Sequence, residues 1–130
     1  MTDTAIKFFN ANKDNDIALY MVFHSLVSEV VYLPVNEQGY LLSLSLEPNE
    51  VIPIFTSKAH IPEEEPIELR ECYIENCLDM LLKTEKHILV NPFSEVDMQF
   101  VIPHEAIERF VIPVIQEKRA KSDLLDGEKS

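Results

Sequence analysis

Thr56, Ser57, Lys58 and His60 fall within five positions of the stretch "VIPIFTSKAH", directly behind a short apolar run. Two hydroxyls, one ammonium and free backbone N–H groups at the start of a turn are the ingredients of an anion or carboxylate pocket. The same residues serve equally as a structural cap, because a Ser or Thr oxygen accepts from the N–H two or three residues further on. A nucleophile reading pairs Thr56 or Ser57 with His60 as base. The sequence offers that pair no orienting third group and no oxyanion donor, and it contains no Gly-x-Ser-x-Gly. It has no glycine-rich phosphate loop either.

The remaining reactive residue types are sparse. Cys72 and Cys77 stand five apart in a segment patterned as helix. On a helix that spacing sets them about 140° apart around the axis, a poor geometry for a disulfide, so reduced thiols are expected. His87 and His104 are distant in sequence, and nothing marks either thiol as reactive. His60 with Glu63 and Glu64 has the ligand types of a metal site, but Pro62 interrupts them, and neither His-x-x-x-His nor Cys-x-x-Cys occurs. No metal and no cofactor is expected, and the chain reads as non-enzymatic.

Charge narrows the partners. The formal net charge of −12 lies wholly in residues 1–116, where 19 acids meet seven bases, and the segment 117–130 is neutral. A field of that sign repels nucleic acid and anionic lipid and suits a basic protein. Glu63, Glu64, Glu65, Glu68, Glu71 and Glu75 are the candidate docking surface for such a partner. The start of the chain has no basic and long apolar leader pattern, and no apolar run reaches the length of a membrane span. With two cysteines expected reduced, the expected location is cytoplasmic.

Elements must hold these groups in place. The 130 residues are the size of one domain, and an apolar fraction of 46% is enough for a core. Ile6, Phe8 and Phe9 pattern a short helix over 4–12. A second, over 16–28, is capped by Asp14 or Asn15, and its core face is Leu19, Val22, Phe23, Leu26 and Val27, with His24 at the boundary. "VVYLPV", "YLLSLSL" and "VIPIF" read as three strands joined by the turns "NEQG" and "EPNE", most economically an antiparallel meander. Pro53 in the third belongs at an edge, a bulge or an outward-facing position. The loop with Pro62 and Pro66 around three glutamates leads to a short strand at 67–69 and a helix over 71–84. "HILVNPF" is a buried strand and "MQFVI" another, and Pro103 opens a final helix that Pro113 interrupts and that frays after Gln116. The triple occurrence of "VIP", at 51, 101 and 111, lies in unlike contexts and is no repeat. The expected fold class is α+β, a single domain of mixed, largely antiparallel sheet with helices packed on it, followed by a charged tail over 117–130.

The order of these motifs resembles the SseB N-terminal domain family, small bacterial proteins named for an enhanced serine sensitivity phenotype. The carriers are Val35 behind Tyr32-Leu33-Pro34, the run Pro53-Ile54-Phe55-Thr56-Ser57, and Val90-Asn91-Pro92, within a span from about residue 15 to about 111. Lys86-His87 departs from the pattern, where a glycine is expected before the Asn-Pro strand, and no C-terminal part of a longer member is expected here. The resemblance implies a compact domain without assigned catalytic residues. Of the matching positions Thr56, Ser57 and Asn91 are polar, and if Phe55 and Asn91 end adjacent strands those polar ends form one rim. The expectation is a regulatory or binding module that holds a small anionic or amino-acid-like ligand at Thr56, Ser57, Lys58 and Asn91. The alternative is an inhibitor- or immunity-like protein docking a basic partner through the acidic residues above.

Overall fold

The computed structural model describes residues 2–46, 49–62 and 67–128, with the backbone alone at 46 and 123–128. Two helices come first, α1 (Thr2–Ala11) and α2 (Asp16–Ser28). Asn15 starts α2 by accepting from the N–H groups of Ile17 and Ala18 at 2.9 and 3.2 Å, two of the orphan donors of a helix start. Val22, Phe23, Leu26 and Val27 of α2 are buried, and His24 sits half-buried against Tyr20.

The strands are β1 (Val31–Val35), β2 (Leu44–Leu46), β3 (Asn49–Ile54), β4 (Glu68–Cys72), β5 (His87–Val90) and β6 (Phe100–Ile102). One sheet has the order β2-β3-β5-β6, antiparallel except for the parallel pair β3–β5, and the other joins β1 to β4 antiparallel. Between β3 and β5 the chain crosses over through β4 and α3 (Ile74–Thr84). The molecule is therefore α+β, with the mixed, largely antiparallel pairing expected of it.

The expected three-strand meander is corrected in its first member. β1 pairs with β4, and its backbone is bonded to the third segment only at a bridge between Tyr32 and Phe55, the residue just past β3, with both N–H···O bonds at 2.9 Å. The reason lies in the turn after β1. Asn36 Oδ1 accepts from the N–H groups of Gln38 and Tyr40, and Gly39 takes φ +82°. The returning chain touches β1 only at Leu41 and Leu42 and then leaves it. Leu42 is consequently exposed and not part of a half-buried face, and β2 is a three-residue strand on β3. The turn expected over 47–50 lies partly outside the described residues.

Pro53 is buried inside β3, opposite Leu89 of β5. Ile54 O faces β5, since it accepts from Asn91 N, and the alternation along the strand turns Pro53 N the other way. On that side β2 has already ended at Val51 and the Tyr32 bridge has not begun, so no ladder bond is lost.

After β6, α4 (His104–Ala106) widens into a π turn over Ile107–Val111 and continues as α5 (Ile112–Glu128), past the point where fraying is expected. Pro113 is carried inside this helix. Its missing donor and its ring would trouble the carbonyl four residues back, Arg109, which lies in the widened turn. Ile6, Leu26, Leu33, Ile52, Ile54, Val90, Ile102 and Ile107 form the centre of the core, and Phe100 receives Phe9 and Phe23 edge-on at 5.3 and 5.6 Å between ring centres.

Candidate functional site

β3 and β5 run parallel, so Phe55-Thr56 and Asn91-Pro92 leave the sheet side by side. Asn91 is fully buried, adopts φ +55°, and is held at every polar atom. Its backbone N–H donates to Ile54 O at 2.8 Å and its carbonyl accepts from Ser94 N at 3.1 Å. Its Oδ1 accepts from Thr56 N at 3.1 Å, while Nδ2 donates to Thr56 Oγ1 at 3.1 Å and to Met98 O at 3.2 Å. Asparagine tolerates left-handed backbone better than most side chains, and here it also supplies the hydrogen bonds a buried loop needs.

The Thr56 hydroxyl in turn donates a hydrogen bond to Asp3 Oδ1, in the first turn of α1. Ser57 caps the 3-10 turn Lys58–His60, its Oγ accepting from Ala59 N at 3.1 Å. That turn carries His60 back toward α1. Nε2 of His60 lies 2.8 Å from Asp3 Oδ2, and Nδ1 lies 2.8 Å from Ser94 Oγ. An ionised carboxylate only accepts, so Nε2 carries the proton it shares with Asp3. In the neutral ring Nδ1 is then the acceptor for the Ser94 hydroxyl. Burial pushes the Asp3 carboxyl up, but the hydrogen bonds from Thr56 and His60 and the imidazole's charge hold it below its ordinary value on balance.

His60 and Ser94 open onto a cleft of about 530 Å³ walled also by Ala59, Ile61, Pro62, Phe93, Glu95 and Met98. Phe93 stacks on Phe55 at 6.1 Å, and Gln99 Nε2 donates to Ser94 O at 2.8 Å, so the far wall is fixed to the sheet and to its own loop. A larger hollow of about 750 Å³ over the α1–α2 turn has no histidine, serine or cysteine in its walls. The histidine and the serine belong to the smaller one.

The four residues expected to bind a ligand divide. Thr56 and Asn91 do meet, but they are committed to each other, to Asp3 and to Met98 O. Ser57 is committed to its cap, and Lys58 sets its ammonium 5.8 Å from the centre of the Tyr32 ring. None of the four walls the cleft. Asp3 and Ser94 are the partners that sequence reasoning missed, and Ser94 stands only three residues beyond Asn91 in "VNPFSE".

The acidic set divides as well. Glu63, Glu64 and Glu65 lie outside the described residues. Glu68 and Glu71 are exposed on β4, Glu71 in strand where helix was expected. Glu75 faces inward on its partners, 3.5 Å from Lys118 Nζ and 3.3 Å from Arg119 Nη2 of α5.

Cys72 is corrected from helix to the last residue of β4, and Cys77 lies in α3, so the two sulfurs come within 3.5 Å. Burial, and then the neighbouring Cys72, pushes the Cys77 thiol up to about 12. His87 and His104 meet each other instead, His104 N donating to His87 Nδ1 at 2.8 Å. Among the described residues no group of three or more His, Cys, Asp or Glu side chains is placed to hold a metal ion, and no helix is long and apolar enough to cross a membrane.

Comparison with protein-family models, with curated proteins and with solved structures yields no match.

Proposed function

We propose that the chain is a small binding module of the SseB-like kind, and that its ligand occupies the cleft between the Lys58–His60 turn and the loop over 93–98. The observation that carries this reading is the imidazole of His60, held at both nitrogens with its edge on an open cleft. The cleft's chemistry is that of an amino-acid-like compound. A ligand carboxylate takes the Ser94 hydroxyl in place of His60 Nδ1, Glu95 offers a partner to an ammonium, and Ile61, Pro62, Phe93 and Met98 embrace an apolar side chain. Thr56 and Asn91 support the cleft from behind without touching the ligand.

Thermal unfolding of the purified protein against amino acids, organic acids and phosphates tests this. A ligand at 100 times its Kd adds about 2.7 kcal/mol, several degrees for a domain of this size. The shift should vanish in Ser94→Ala and in Glu95→Gln, while Thr56→Ala lowers Tm and keeps the shift. A flat response across the library sinks the reading and leaves the exposed Glu68 and Glu71 as the surface to try against basic proteins.

A further inference from the structure

Hydroxyl, imidazole and carboxylate stand in one line at the cleft. Ser94 Oγ, His60 and Asp3 are joined by two contacts of 2.8 Å each, and they come from a loop, a 3-10 turn and a helix start separated by 34 and 57 residues. Such a line is the arrangement that activates a weak nucleophile, with a base in reach of the hydroxyl and a third group fixing the base's tautomer. The ring is used the other way round from the common assignment, with Nε2 toward the carboxylate and Nδ1 toward the serine. Either nitrogen serves as base when the other holds the proton. Ser94 and His60 wall the cleft, and the side chains of Asp3 and His60 remain 38% and 15% exposed, so the line is not sealed in the core. Among the described residues the backbone N–H of Glu95 donates to no acceptor. The N–H following a nucleophilic serine is a frequent half of an oxyanion hole.

We propose that Ser94 is a nucleophile, with His60 as its base and Asp3 as the positioning residue, and that the cleft takes small acyl esters with an apolar acyl group. This rests on the reading of the cleft as a ligand site, and departs from the sequence's expectation of a non-enzyme. In the reaction Ser94 Oγ bonds to the carbonyl carbon while its proton moves to His60 Nδ1. The ester C–O bond then breaks, and the leaving alkoxide takes that proton. Water attacks the acyl-serine with His60 again accepting the proton, the acid leaves, and the proton returns to Ser94. Ile61, Pro62, Phe93 and Met98 receive the acyl chain, and Glu95 selects against an anionic one.

The test uses an alkyl fluorophosphonate, which forms an Oγ–P bond at an activated serine and releases fluoride. Intact mass should rise by one phosphonyl group per chain, and peptide mapping should place it on Ser94. Ser94→Ala should take no label. His60→Gln should label about a hundredfold more slowly, the scale of a general base. The native protein should also hydrolyse p-nitrophenyl butyrate. In case His60→Gln does not fold, the labelling rate of the native protein between pH 5 and 9 supplies the same information. It should fall toward the acid side, as a nucleophile that needs a general base requires, whereas a flat profile overturns the proposal. Absence of label on folded protein also overturns it. If library ligands still raise Tm in that case, the binding reading stands and only the nucleophile falls. Label on Ser94 without any library shift supports the nucleophile and removes the amino-acid ligand.

Discussion

Asn91 shows how much one side chain carries in this fold. It is fully buried, left-handed, and bonded to Thr56 and to the Met98 carbonyl at once. Asn91→Ala should cost about 4 kcal/mol, from three side-chain hydrogen bonds worth about 1 kcal/mol each and a left-handed backbone costing about 1 more for a residue without asparagine's tolerance of it. Asn91→Gly keeps the backbone free and should recover about 1 kcal/mol of that. Urea unfolding of both variants measures the split, and equal losses would show that the backbone conformation adds nothing. The sequence made Asn91 and Thr56 neighbours on a rim, through adjacent strand ends, but it could not show that they consume each other. Ser57 was legible as a cap because capping is local, settled within three residues. Asp3 and Ser94 were not legible as partners of His60. Each lies far along the chain, and only the parallel pairing of β3 with β5 and the docking of α1 bring them together.

At the scale of elements, the stretch around Cys72 shows where periodicity misleads. Leu78, Leu81, Leu82, Ile74 and Cys77 do recur at helical spacing, and the pattern extends back without a break signal. Pairing decides the boundary instead. β1 needs a partner along its whole length once the chain after Gly39 has left it, and residues 68–72 supply that ladder. The helix therefore starts at Ile74, and Cys72 and Cys77 face each other across the strand–helix corner, 3.5 Å apart. A disulfide there needs the sulfurs to close to about 2.05 Å, a small movement at a corner. Treated with diamide, which takes up the two electrons and two protons released, the folded protein should lose both titratable thiols and 2 mass units within one chain, the change of a single S–S bond. Cys72→Ser should keep Cys77 reduced under the same treatment, given its burial and raised pKa. Two thiols still titrating after diamide, with the fold intact, would refute the corner geometry. The same competition between local pattern and pairing explains the lost meander, whereas α2 was legible because cap and core face agree.

The whole molecule is closed by its last helix, and there the sequence's charge arithmetic was a poor guide to structure. A neutral, highly charged stretch after Gln116 reads as a solvated tail, because nothing in its composition asks for burial. In the fold residues 117–119 lie against α2 and α3. Tyr20 O–H donates to Glu117, Lys118 and Arg119 hold Glu75, and the Lys118 ammonium sits 5.1 Å over the Tyr73 ring. These contacts are formed by side chains that are individually ordinary surface groups, so their meaning appears only when three helices are in place. Exposed ion pairs contribute little one at a time, but Glu75 is shared by two cations and largely covered, which raises its share. Removing residues 117–130 should therefore lower Tm by several degrees, on the order of 1–2 kcal/mol for the Glu75 cluster and the Lys118–Tyr73 contact together. Glu75→Gln in the full chain should reproduce part of that loss, and the part should shrink as salt rises from 50 mM to 1 M because the pairs lie near the surface. In the truncated chain the Glu75→Gln change should be nearly silent, because both cations are already gone. A truncated chain with unchanged Tm would mean that α5 ends functionally at Gln116 and that the seam with α3 carries no stability.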